Sequence, residues 1–63
     1  MKFYELKRGA NFRFVERREV DESTYYSRGM DGAYGRYVQT LDEMDDPARW
    51  SYCRPLDDVE VVE

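Results

Sequence analysis

The chain has 63 residues, 14 Asp or Glu against 10 Lys or Arg, no His and a formal net charge of −4. A chain of this length buries only about 60% of the surface its unfolded form exposes, so it supports one domain over residues 1–63 and no deep, walled active site. Without His there is no Ser/His or Cys/His nucleophilic pair, and the single Cys53 lacks both a disulfide partner and companions for a structural zinc site. The expectation is a non-enzymatic domain with no cofactor and no metal.

A hydrophobic fraction of 41% and an aromatic fraction of 16% are enough for a folded core, whereas a disordered acidic tail is poor in aromatics. Each ring buries about 150–250 Å², so Phe3, Tyr4, Phe12, Phe14, Tyr25, Tyr26, Tyr34, Tyr37, Trp50 and Tyr52 are the candidates for that core. The unpaired cysteine, the lack of a signal-like apolar run, and the lack of the roughly 20 apolar residues that cross a bilayer point to a cytoplasmic protein with no membrane partner.

In chain order, residues 2–6 predict a first strand with Phe3 and Tyr4 on opposite faces, and Lys7-Arg8-Gly9 a turn. Residues 11–17 form the clearest strand, with Phe12, Phe14 and Glu16 on one face and Arg13, Val15 and Arg17 on the other. Residues 24–30 and 33–41 flank Asp31-Gly32, a dipeptide suited to a hairpin loop. With that loop, Tyr26 faces Tyr37 and Tyr25 faces Val38. Thr40-Leu-Asp-Glu43 has capping-box spacing and Asp46-Pro47 reads as an N-cap followed by proline, which places one short helix or 3₁₀ turn within 41–49. Residues 50–54 then form a strand stopped by Pro55, and 59–62 a last one. The expected fold is mainly β (β or α+β): a small curved antiparallel sheet or barrel of five to six short strands with at most one short helix.

Charge is unevenly distributed. Residues 1–20 hold six cations against three acids, a surplus of three positive charges, and residues 21–63 hold four cations against eleven acids, a surplus of seven negative ones. The acids cluster at Asp42, Glu43, Asp45 and Asp46 and again at Asp57, Asp58 and Glu60. No EF-hand glycine and closing Glu accompany them, so a solvated turn is the plain reading of the first cluster. Gly29, Gly32 and Gly35 do not have the spacing of a phosphate-binding loop and suit a hairpin. Cys53 reads as a small buried hydrophobe.

Two binding chemistries remain. Carboxylates on a rigid sheet can imitate phosphates and occupy the nucleic-acid surface of another protein, against the plainer role of keeping a small domain soluble. Alternatively, Arg13, Arg17 and Arg18 with exposed tyrosines can bind single-stranded nucleic acid, a reading that the negative net charge disfavours.

Leu6-Lys-Arg-Gly9-Ala-Asn-Phe12-Arg-Phe14, the Asp31-Gly32 hairpin and the closing Asp58-Val-Glu60-Val-Val-Glu63 together resemble short phage- and prophage-encoded β proteins. Ala10 stands where an Asp or Glu often follows the turn glycine. The resemblance implies an accessory protein, and several such proteins inhibit host defence or transcription, anti-CRISPR proteins among them. The leading expectation is thus a monomer or weak homodimer that binds a host nucleic-acid-binding protein or CRISPR effector complex through Asp42, Glu43, Asp45, Asp46, Asp57, Asp58 and Glu60. A minor structural or assembly protein of a virion is the third reading.

Overall fold

A computed structural model describes residues 1–16, 23–40 and 46–62. Five strands, β1 (Asn11–Phe14), β2 (Tyr25–Asp31), β3 (Tyr34–Gln39), β4 (Ser51–Cys53) and β5 (Val59–Val61), form one antiparallel sheet in the order β4-β3-β2-β1-β5. The first four strands make a meander, and β5 returns to pair with the other side of β1. The fold is mainly β, as its alternating apolar runs and glycine turns imply.

Residues 2–6 do not form the expected strand. Phe3–Glu5 is a single 3₁₀ turn, closed by bonds from Glu5 N to Lys2 O and from Leu6 N to Phe3 O, both 3.0 Å, with the Glu5 carboxylate accepting from Lys2 N–H at 2.8 Å. A 3₁₀ turn repeats every three residues, so it directs Phe3 and Leu6 to one side. Both are buried while Tyr4 and Glu5 face solvent, a burial that strand alternation cannot produce. The turn is tied to the residues before β5 by Phe3 N to Asp57 O and Tyr4 N to Pro55 O bonds of 2.9 and 3.0 Å.

The β2–β3 hairpin forms one residue later than expected. Its last pair is Asp31↔Tyr34, which makes Gly32-Ala33 the loop. Gly32 has φ +64 and among the described residues none other than glycine has positive φ, so glycine takes the first loop position as in a type II′ turn. A bulge between Ser27 and Gly29 then takes up one residue, and the pairs beyond it are Ser27↔Tyr37, Tyr26↔Val38 and Tyr25↔Gln39. The expected Tyr26–Tyr37 pair is therefore absent. Tyr37 instead meets Tyr25 on the core face, ring centroids 5.1 Å apart and edge-to-face. Ser27, fully buried, accepts Gly29 N–H on its hydroxyl at 3.1 Å and so holds the bulge.

The core face carries Phe12, Phe14, Tyr25, Tyr37, Cys53 and Val59, closed over by Phe3 and Leu6. Phe12 is the hub: its ring lies 5.2 Å from Phe3, 5.2 Å from Phe14, 5.9 Å from Tyr25 and 6.1 Å from Tyr37. All but the Phe12–Tyr25 pair, which is tilted at 36°, are edge-to-face, and such pairs add about 0.5–1.5 kcal/mol each beyond their buried area. Gly35 makes room for this packing. A Cβ there would lie 2.4 Å from the Phe3 ring and 2.7 Å from Cys53 Sγ.

The opposite face has its own small cluster. Val38 and Trp50 are buried there, outside the main core, and Tyr26 meets Trp50 with ring centroids 5.9 Å apart. Trp50 is delivered by a 3₁₀ turn at Pro47–Arg49, which begins with proline after Asp46 as expected. The capping box at 40–43 lies outside the described residues.

Candidate interaction surfaces

Four of the seven carboxylates expected to form a binding surface can be placed; Asp42, Glu43 and Asp45 lie outside the described residues, as do Arg17 and Arg18. Asp46 caps the second 3₁₀ turn, its Oδ1 accepting Ala48 N–H at 3.0 Å and its Oδ2 lying 3.9 Å from Arg49 Nε. Asp57 closes the turn before β5, with Oδ2 accepting Arg54 N–H at 3.1 Å. The structural work of Asp46 and Asp57 comes from this backbone capping.

Asp58 and Glu60 stand two apart, which in a strand places them on one face with a repeat of about 6.6 Å. Asp58 pairs with Lys2 Nζ at 2.7 Å, and Glu60 pairs with Arg13, its cross-strand neighbour on β1. The two-ended charge of the chain is thus folded back on itself, the basic N-terminal segment lying against the acidic C-terminal one. The mutual hydrogen bond is the main cause of two opposite shifts: it holds the Asp58 carboxyl below the usual aspartate range and raises the Lys2 ammonium above the usual lysine range. Both partners of each pair remain about half exposed, with Asp58 at 47% and Glu60 at 48%. Exposed pairs are worth only about 0–1 kcal/mol, so these carboxylates can exchange an internal cation for an external one at little cost.

A second surface is built at the hairpin end of the sheet. On β3, Gly35 and Tyr37 face the core, so Tyr34, Arg36 and Val38 face the other way. On β4, Cys53 faces the core and Tyr52 the outside. Tyr34 and Tyr52 consequently meet on one surface, ring centroids 6.3 Å apart and 70° between planes, both more than half exposed. With Asp31 they line an open pocket of about 380 Å³. Tyr52 donates its hydroxyl proton to Asp31 Oδ2 at 3.2 Å, and Arg36 Nη1 lies 3.6 Å from the same oxygen. The Arg36 guanidinium sits over Trp50 with Cζ 5.5 Å from the ring centroid, and Arg28 does likewise at 5.3 Å. Arg36 Nε is buried with no hydrogen-bond partner among the described residues.

The sequence counts Tyr34, Trp50 and Tyr52 among the core candidates and does not connect Tyr34 or Trp50 to Tyr52 and Asp31, whereas Tyr34 and Tyr52 are exposed. The usable signal was parity: once Tyr37 and Cys53 are assigned to the core, Tyr34 and Tyr52 must face away from it. Cys53 is buried, as a small hydrophobe would be. Among the described residues no group of three or more metal-ligating side chains comes together, and no helix is long and apolar enough to cross a membrane. Comparisons with protein-family models, with curated protein sequences and with solved structures returned no match.

Proposed function

We propose that this protein is a non-enzymatic accessory protein of phage type, acting in the cytoplasm of a host cell by binding and inhibiting a host protein through its acidic surface. Its most concrete form is an anti-CRISPR protein that occupies an effector complex as a nucleic-acid mimic. The observation that carries the reading is the state of Asp58 and Glu60: carboxylates two residues apart, just before and within β5, half exposed, and held among the described residues by exposed ion pairs. Asp58 is anionic at neutral pH as any aspartate is, and the net charge of −4 attracts basic surfaces at long range. Asp42, Glu43, Asp45 and Asp46 extend the acidic set in sequence, with Asp57 beside Asp58.

The test is a pull-down from nuclease-treated host lysate, washed at low and high salt, using the native sequence and a variant carrying Asp42→Lys, Glu43→Lys, Asp45→Lys and Glu60→Lys. Capture of a nucleic-acid-binding protein that DNA or RNA competes off, and that the folded variant fails to retain, supports the proposal. Equal capture by the folded variant overturns it.

One observation favours a second reading, single-stranded nucleic acid bound directly: exposed Tyr34 and Tyr52 lie on the outward face of a sheet that also carries Arg28 and Arg36. Of the cations that the sequence assigns to it, Arg13 is paired with Glu60, and Arg17 and Arg18 lie outside the described residues. Retention of an oligonucleotide at physiological salt by the purified protein would decide for it.

A further inference from the structure

We propose that the pocket between Tyr34, Tyr52 and Asp31 receives a basic side chain, arginine in preference to lysine, from the protein partner. The class of partner rests on the acidic-surface reading above; the chemistry of the pocket does not. Among the described residues that line the pocket, Asp31 carries the formal charge. Both of its contacts within the chain fall on Oδ2, so among the described residues Oδ1 is open to a further donor.

The two rings supply the other half of the recognition. In an edge-to-face pair at 70° the ring faces are not stacked on each other, and each aromatic face carries the negative side of its quadrupole. A cation over the outward face of either ring, within reach of Asp31 Oδ1, is attracted by ring and carboxylate together. The Tyr52 hydroxyl bond to Asp31 fixes ring and carboxylate relative to each other before any partner arrives, which lowers the ordering cost of binding. A guanidinium is favoured over an ammonium because it is planar, lies flat on a ring and can direct paired N–H groups at a carboxylate. The same sheet already shows this chemistry within the chain, where Arg28 and Arg36 lie over Trp50. Arg36 lies 3.6 Å from Asp31 Oδ2 and over the Trp50 ring, so it shares the Asp31 charge with an incoming cation and leaves Oδ1 as the atom a further donor can reach. A nucleotide phosphate placed there would face the Asp31 carboxylate.

The experiment follows the tyrosine ring NMR signals of the purified 63-residue protein during titration with N-acetylarginine methylamide. The neutral citrulline analogue and a short oligothymidylate serve as parallel probes. The expected result is saturable movement of Tyr34 and Tyr52 signals, with buried Tyr25 and Tyr37 unmoved and a dissociation constant on the order of 1–10 mM. Asp31→Asn should weaken the interaction about threefold or more, and Tyr34→Ala, at an exposed position, should abolish it. Equal response to citrulline, response to oligothymidylate but not to arginine, or no response at all overturns the proposal. The two readings fail separately. Arginine binding without partner capture leaves the pocket standing and removes the acidic-surface function. Partner capture unchanged by Tyr34→Ala removes the pocket and leaves that function in place.

Discussion

The two faces of the sheet both rely on aromatic side chains, but they surround them differently. On the core face, Phe3, Phe12, Phe14, Tyr25 and Tyr37 contact one another edge-to-face, and the burial there is almost entirely apolar. On the other face, Tyr26 and Trp50 lie beside Arg28 and Arg36, and Tyr34 and Tyr52 are left in solvent next to Asp31. Rings packed on rings exclude water and stabilise the fold. Rings placed beside charges, in a chain this small, are an expensive way to gain stability and a direct way to make a recognition surface. The larger aromatic core lies on one face of the sheet, and the other face, beside its smaller buried cluster of Val38 and Trp50, carries the rings set against charges where recognition is proposed.

That separation predicts a graded set of responses. The largest is Phe12→Ala, which removes the hub of the core and should cost about 3–5 kcal/mol. Total stability for a chain of this size is about 3–9 kcal/mol, so the variant should be largely unfolded by chemical denaturation and lose its dispersed NMR spectrum. Next is Gly35→Ala, whose Cβ would enter the Phe3 ring; a loss of about 1–3 kcal/mol is expected, partly recovered when Phe3→Leu is added. Denaturant midpoints of the two single variants and the double one measure the coupling. On the other face, Trp50→Phe should cost less, about 0.5–1.5 kcal/mol, because it keeps an apolar ring while weakening both arginine contacts. If it matched Phe12→Ala in cost, the two faces would not differ in the way described.

The smallest effect is a pH dependence at the β5 edge. Asp58 has its proton affinity lowered, so its contribution is present above the ordinary aspartate value of 3.8 and is lost as pH falls through the depressed folded value. Lys2 is raised, so its contribution is present below 10.5 and is lost as pH rises through the elevated folded value. Stability should therefore be flat across the neutral range and decline at both extremes. Asp58→Asn should flatten the acid limb slightly in thermal melts carried from neutral pH to below 3.8.

How much of this could be read from sequence depended on the kind of pattern. Alternation of Phe12 and Phe14 with Arg13 fixes both the strand and its inward face, because each apolar residue is flanked by a polar one. Asp46-Pro47 marks a turn start for a local reason, the side chain capping the turn it precedes. Residues 2–6 misled because Phe3 and Tyr4 have strand-like character, and only the burial of Leu6 three residues on reveals the 3₁₀ repeat. The hairpin register was out of reach locally: the loop moves by one residue and the bulge at Ser27 and Gly29 takes back only part of that shift, both depending on glycines at positive φ. The charge segregation was legible, but its consequence for the placed acids was not. Lys2 and Arg13 meet Asp58 and Glu60 only because β5 returns to β1 across more than forty residues of sequence, with separations of 56 and 47. The Tyr34–Tyr52–Asp31 pocket was hidden for the same reason, since it joins the ends of β2 and β3 to the middle of β4.

The most direct test of the central claim is a competition measurement on the captured host partner. Labelled DNA or RNA is bound to that partner first, and the purified protein is then titrated in at several salt concentrations. The expected result is full displacement of the nucleic acid, with the apparent affinity of the protein falling as salt rises. A stable ternary complex of partner, nucleic acid and this protein would contradict it.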